Sequence, residues 1–83
     1  MLPNLSKRFG VAVRRRRIAA GLSQETLAEK ADLHPTYMSM VERGVRNPTI
    51  EVAARISRAL RMGLPDLIIE AQHLRASTFK KQR

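Results

Sequence analysis

Four side chains of different chemistry share one helical face near the middle of the chain. One face of an α-helix holds residues at i, i+3, i+4 and i+7, and this spacing is kept by Thr36, Ser39, Met40 and Arg43. Hydroxyls donate and accept hydrogen bonds, Met40 and the Thr36 methyl can pack on apolar groups, and Arg43 can bind an anion. The major groove of double-stranded DNA presents all of these partners together. The alternative is that this is an ordinary solvent-exposed helix face.

The segment around this face is patterned as two short helices joined by a tight turn. Ser23 caps a second helix predicted over residues 24–31, and Asp32 tolerates the left-handed backbone of a turn. Pro35 suits the first position of a third helix predicted over residues 35–43, and Gly44 ends it. The spacing predicts a helix-turn-helix whose third helix enters a DNA major groove.

The flanking segments are also helical, because Pro and Gly fall between periodic stretches and no strand-like alternation is sustained. A first helix is predicted over residues 4–20, a fourth over residues 50–61, and a fifth from about residue 65. The chain is therefore predicted to be all-α, with one domain over residues 1–76. Residues 77–83 are predicted to form a basic, flexible tail.

Composition favours nucleic acid as the partner. The chain has 83 residues and a formal net charge of +9, and most of its 16 basic side chains are arginines. A basic excess in one small domain indicates nucleic acid first, while membrane-surface helices need bulky aromatics opposite the cations. No apolar stretch has the length of a membrane span or of a signal peptide, so we expect a cytoplasmic protein.

Catalytic and metal-binding patterns are not evident in the sequence. His34 and His73 stand far apart, and the chain has no cysteine. Neither histidine has the neighbours of a metal ligand, and the acidic residues show no catalytic pairing. We expect no metal, no cofactor and no enzymatic activity.

Taken together, these motifs resemble the Cro/C1-type (XRE-like) helix-turn-helix transcriptional regulators. The resemblance covers about residues 9–67 and is carried by residues 21–25, 27–28, 33, 37, 41–44 and 46–49. At this length, with a fifth helix and little else, the chain is most similar to the controller proteins of restriction-modification systems. The resemblance implies a compact, five-helix, lambda-repressor-like fold with the helix-turn-helix in the second and third helices.

The resemblance also implies roles for residues on and beside the third helix. We expect base contacts from Pro35, Thr36, Ser39 and Met40, and DNA-backbone contacts from Gln24, Tyr37, Arg43, Arg46 and Asn47. Pro35 departs from the family pattern of a long polar side chain, and proline can only pack against a base or sugar. Tyr37 could equally be a half-buried core residue with a solvated hydroxyl.

Arg17 follows Leu5, Phe9 and Val13 on the apolar stripe of the first helix, so its guanidinium needs a partner. The family pairs an arginine and a glutamate at the positions of Arg17 and Glu42, which implies a structural salt bridge between the first and third helices. Three further arginines, residues 14–16, precede Arg17, and no single helix face can hold all three.

The fifth helix predicts a homodimer, because it holds more apolar surface than one small core requires. The predicted interface consists of Leu67, Ile68, Ala71 and Leu74. The alternative is that all of these side chains cover the core of a single subunit.

These observations predict a homodimer that binds an inverted-repeat operator and either blocks or recruits RNA polymerase. For a controller protein, the resemblance implies control of its own gene and of a neighbouring restriction gene. Two other classes remain open. An antitoxin could use the same fold to repress its operon, and an adaptor could use the basic face to bind RNA or an acidic protein.

Overall fold

A computed structural model describes residues 3–80, which form six helices and no strand. The helices are α1 (Leu5–Ala19), α2 (Gln24–Lys30), α3 (Pro35–Glu42), α4 (Ile50–Ala59), α5 (Leu64–Gln72) and α6 (Ser77–Lys80). The all-α fold and its five predicted helices are confirmed, with ends that differ from the predicted ones by one or two residues. The short α6 was not predicted.

Side-chain caps determine where four of the helices begin. Each capping side chain accepts a hydrogen bond from a backbone N–H in the first turn, at distances of 2.9–3.1 Å. The capping residues are Asn4 (α1), Ser23 (α2), His34 (α3) and Thr49 (α4). Such a cap stabilises a helix by about 1 kcal/mol, because the first N–H groups otherwise have no partner.

The core is built around α1, which packs against both α3 and α5, while α2 packs against α3 and α4, and α4 packs against α5. Five large side chains from five helices are completely buried there: Val13, Leu27, Met38, Ile56 and Leu67. Burial of an aliphatic side chain of this size stabilises the fold by about 1.5–3 kcal/mol. This shared core fixes the orientation of α3 relative to α1.

Gly10 allows α1 to approach the C-terminal end of α3 closely. A Cβ atom at this position would lie 2.2 Å from the carbonyl oxygen of Val41 and 2.7 Å from that of Glu42. No real side chain tolerates such distances to backbone atoms. The close crossing brings the last turn of α3 against α1, where the ion pair described below forms.

The segment predicted to be a flexible tail is described only in its first residues, and its flexibility stays a prediction. Ser77–Lys80 form a helical turn, and both Thr78 and Phe79 are half-buried. The remaining predicted tail residues, 81–83, lie outside the described residues, as do residues 1 and 2.

Candidate nucleic-acid interface

The turn between α2 and α3 has a left-handed backbone and a cap from α4. Asp32 has φ +57°, a conformation that Asp adopts more readily than most side chains. The Arg55 Nε donates to the carbonyl oxygen of Ala31 at 3.0 Å, and its guanidinium also bonds the carbonyl of Asp32. Arg55 thereby satisfies two carbonyl groups of the turn after α2 and holds the angle between α2 and α3.

An open notch separates the beginnings of α2 and α3. Its lining includes three of the predicted base-contact residues, Pro35, Thr36 and Ser39, together with Gln24. Pro35 and Thr36 are exposed and Ser39 is half-buried. Met40 is half-buried and lies outside this lining, so only three of the four side chains predicted for base contact line the notch.

Arg17 and Glu42 form a buried ion pair between α1 and α3. The Arg17 Nε donates to Glu42 Oε2 at 2.6 Å, and a second guanidinium nitrogen donates to Oε1 at 3.1 Å. The Arg17 side chain is 11% exposed and that of Glu42 2%. Arg17 also donates to the carbonyl oxygen of Leu22 at 2.8 Å, which ties the pair to the chain before α2.

Gln24 belongs to the same hydrogen-bond network. Its Nε2 donates to Glu42 Oε1 at 2.9 Å, so the donor predicted to bind a phosphate is used inside the protein. A phosphate contact through this nitrogen would require it to leave Glu42. In this structure the Gln24 side chain instead adds a hydrogen bond to the buried Glu42 carboxylate, which also accepts from Arg17.

The residues after α3 form a second cluster beside the notch. The Arg46 guanidinium lies over the ring of Tyr37, 5.4 Å from its centroid. This cation–π contact holds an exposed cation next to α3, and the half-buried ring also packs against the core. Asn47 is exposed, and its Oδ1 accepts a hydrogen bond from the hydroxyl of Ser6.

Arg43 ends α3 and faces a different depression from the notch. It is exposed, and it lines a groove with Lys7, Arg14 and Arg15 of α1. Sequence reasoning placed Arg43 on the helical face of Thr36, Ser39 and Met40 and assigned it a DNA-backbone contact, which stays a prediction. It missed the grouping with α1, because the crossing of the two helices depends on Gly10 rather than on any local charge pattern.

The predicted dimer residues are mostly inside the subunit, which corrects that prediction. Leu67 and Ala71 are completely buried, and Leu74 is 8% exposed. Leu67 and Ala71 face the core from α5, which packs against α1, whereas Leu74 follows the end of α5. Of the predicted set, only the half-buried Ile68 reaches an accessible surface.

An apolar groove that was not predicted lies beside Ile68. Its lining includes Leu5 of α1, Ile50 of α4, and Leu64 and Ile68 of α5. Ile50 is 82% exposed and Leu5 39%. The sequence placed Leu5 on the apolar stripe of α1, because a stripe alone does not show that its first residue stays accessible to water.

Residues 3–80 show neither a group of metal ligands nor a membrane-spanning helix. No group of three His, Asp or Glu side chains there could hold a metal ion. Among the helices of that stretch, none combines the length and the apolar character needed to cross a membrane.

Comparison with known proteins identifies the motif. A family model described as helix-turn-helix (HTH_3) matches residues 13–67. The control protein C.BamHI of Bacillus amyloliquefaciens is 42% identical over 69 residues, which are 82% of this chain and 85% of that protein. The matched region includes α2 and α3 and their flanking helices.

Solved structures give the same result. The clp gene regulator ClgR of Corynebacterium glutamicum superposes with a TM-score of 0.82 at 34% identity, covering 84% of this chain and 74% of that chain. A second match is a chain of the restriction-modification controller protein C.Esp1396I, from the structure of its tetramer in complex with its natural 35 base-pair operator. It superposes on this chain with a TM-score of 0.74 at 29% identity. This match covers 84% of the present chain and 96% of C.Esp1396I. The chain belongs to the HTH_3 helix-turn-helix family.

Proposed function

We propose that this protein is a transcriptional regulator that binds inverted-repeat operator DNA as a homodimer. The observation that carries the proposal is the exposed face of α3, where Pro35, Thr36 and Ser39 line an open notch. The buried Arg17–Glu42 pair holds that helix against α1. An α-helix presented in this way fits a major groove. C.Esp1396I, a family relative, is known in complex with its operator.

Base contacts come from the exposed face of α3, and they are made by short side chains. The Thr36 and Ser39 hydroxyls donate to and accept from base edges, while the Thr36 methyl and Pro35 pack on a thymine methyl or a sugar. Met40 supports this face from its half-buried position. Base preference therefore rests on small side chains that let α3 approach the bases closely.

Backbone contacts come from cations and amides around α3. Arg43, Arg46 and Asn47 are exposed, and the Tyr37 ring holds the Arg46 guanidinium in place. Gln24 lies at the edge of the notch, where its contribution is to hold Glu42 rather than to bind phosphate through its side-chain nitrogen. These contacts position the protein on the duplex without selecting a sequence.

The apolar groove forms the interface between two subunits, in place of the buried Leu67 and Ala71. Leu5, Ile50 and Ile68 present apolar surface that one subunit leaves in contact with water. A two-fold contact through this groove would leave both α3 helices free for adjacent major grooves. The half-site centres are then about 34 Å apart, one turn of the duplex.

The regulated genes are the protein's own gene and a neighbouring restriction gene. The similarity to control protein C.BamHI supports this assignment. Occupancy of the operator would block or recruit RNA polymerase according to its position. This role is carried out in the cytoplasm, where the DNA lies, and needs no catalysis.

Fluorescence anisotropy tests the proposal. The protein is titrated into DNA from upstream of its own gene, and into scrambled DNA of equal length, at two salt concentrations. We expect tighter binding to the upstream DNA, with two subunits per site, and weaker binding at higher salt. A variant carrying Thr36→Ala and Ser39→Ala should lose the preference but keep the salt dependence. Equal affinity of the unaltered protein for both DNAs would contradict a self-regulating role.

A further inference from the structure

A basic groove runs along α1 beside the notch and is not used by the base-contacting face. Four cationic side chains line it, together with the apolar Val11 and Ile18: Lys7, Arg14, Arg15 and Arg43. Gln24 lies at the boundary, because it lines both the notch and the basic groove. The two depressions therefore form one continuous surface.

The neighbouring arginines of α1 are occupied elsewhere. Arg16 pairs with Glu70 of α5, and this hydrogen bond and the charge of Glu70 raise the pKa of Arg16. Arg17 is held by the buried Glu42. Arg14 and Arg15 are exposed, and among the residues described neither pairs with a carboxylate. Two successive cations are thus left free on the groove side of α1.

Among the described residues that line it, the basic groove has no carboxylate free to neutralise these cations. The acidic residue at its edge is Glu42, which is 6% exposed and already bound by Arg17 and Gln24. Mutual repulsion among free cations is relieved by a bound polyanion. The exposed Ile18 adds an apolar surface on which a sugar could pack.

We propose that the basic groove binds the phosphates of the DNA strand that flanks the base pairs contacted by α3. This inference rests on the proposed function, since it extends the same DNA across a neighbouring surface. Continuity through Gln24 favours DNA over an acidic protein, because a duplex lying on the notch must continue past the notch. Arg14 and Arg15 are the residues that bind the flanking phosphates.

Salt dependence gives this proposal a quantitative consequence. Each phosphate neutralised on duplex DNA contributes about 0.9 to the slope of log affinity against log salt. Loss of two contacts lowers the slope by about 1.8. Between about 50 and about 200 mM salt, the unaltered protein then loses about 12-fold more affinity than a variant without those contacts.

The test compares two double variants on two lengths of operator DNA. Arg14→Gln with Arg15→Gln removes the free cations of the basic groove. Arg58→Gln with Arg61→Gln is the matched control, because both residues are exposed, carry the same charge and lie outside the groove lining. One duplex carries the operator with flanks on both sides, and the other ends at the operator.

On the flanked duplex we expect the variant with Arg14→Gln and Arg15→Gln to have the smaller slope of log affinity against log salt. The control variant should have the same slope as the unaltered protein. On the short duplex the difference between the variants should disappear. The ratio of affinities for operator and scrambled DNA should stay unchanged, because phosphates carry no sequence information. Melting curves of both variants check that they are folded.

Two results would overturn the inference. One is equal salt dependence of the two variants on the flanked duplex, which would leave the basic groove to an acidic protein. The other is a difference that persists on the short duplex, since the contacts would then lie within the operator. In both cases the proposed function stands if the protein still prefers operator DNA over scrambled DNA. If the unaltered protein shows no such preference, the proposed function itself is contradicted.

Discussion

Residues 14–17 share one chemistry, yet the fold gives them different partners. The position of Arg17 on an apolar stripe shows that it must be buried and paired, and the family pattern supplies Glu42. The partner of Arg16, Glu70, could not be predicted in this way. It is 54 residues away in sequence and becomes a neighbour through the packing of α5 on α1. Local pattern thus predicts which residue needs a partner, and tertiary packing decides which partner it finds.

Glu42→Gln tests the structural role of the buried pair. The change leaves the Arg17 guanidinium in a nearly dry site without its counter-charge, so we expect the free energy of unfolding to fall by about 3 kcal/mol. Urea denaturation measures this. Glu29→Gln is the control, because that residue is exposed on α2 and forms no ion pair among the described residues. Equal stability of the two variants would show that the pair does not hold α3 in place.

Thr36→Ala and Arg46→Ala separate base contacts from backbone contacts. Loss of the Thr36 hydroxyl and methyl should lower the preference for operator over scrambled DNA by about 1 kcal/mol. Loss of Arg46 should weaken binding to both DNAs and lower the salt slope by about one unit. Competition binding measures both quantities. A uniform loss from both variants would remove the distinction between their roles.

At the scale of the helices, local sequence signals predict where each helix begins and ends. Packing between residues far apart in sequence determines how closely two helices cross. Ser23, Thr49 and Pro35 mark their helix starts in the sequence, because a cap or a fixed φ acts within one turn. The approach of α1 to α3 has no such signal. It depends on Gly10, which in the sequence is indistinguishable from a weak point inside a helix.

Gly10→Ala tests this crossing by the sign of its effect. In an exposed helix interior, glycine to alanine stabilises by about 1 kcal/mol. Here the added Cβ would meet the carbonyl oxygens of Val41 and Glu42, so we expect destabilisation of about 1–3 kcal/mol. Gly63→Ala is the control, since its Cβ would meet its nearest neighbours at 3.5 Å and 3.6 Å, which is ordinary contact. A Gly10→Ala protein as stable as the original would show that α1 and α3 can separate without cost.

For the molecule as a whole, the sequence predicts a dimer through α5, including two residues that the structure buries in the core. Apolar residues occupy more than one stripe of α5, so periodicity alone does not show which stripe packs on α1 and which meets a partner. The structure places Leu67 and Ala71 in the core and leaves the apolar groove around Ile50 open. An interface through Leu67 and an interface through the apolar groove predict opposite results for aspartate substitutions at Leu67 and Ile50.

Leu67→Asp should unfold the subunit, because it places a charge in a completely buried site. Ile50→Asp should instead give a folded monomer. Ile50 is 82% exposed and begins α4, where a negative charge interacts favourably with the helix dipole. Circular dichroism reports the folding of each variant, and sedimentation velocity reports the number of subunits.

Ile18→Asp is the control for the dimer, since Ile18 is 55% exposed but lies on the basic groove rather than the apolar groove. It should remain dimeric. If Ile50→Asp is monomeric, it should also bind the operator more weakly, because each half-site is then occupied independently. A folded Ile50→Asp dimer would place the interface elsewhere. A folded Leu67→Asp monomer would restore the assignment made from the sequence, so the pair of variants decides between the core-facing side of α5 and the apolar groove.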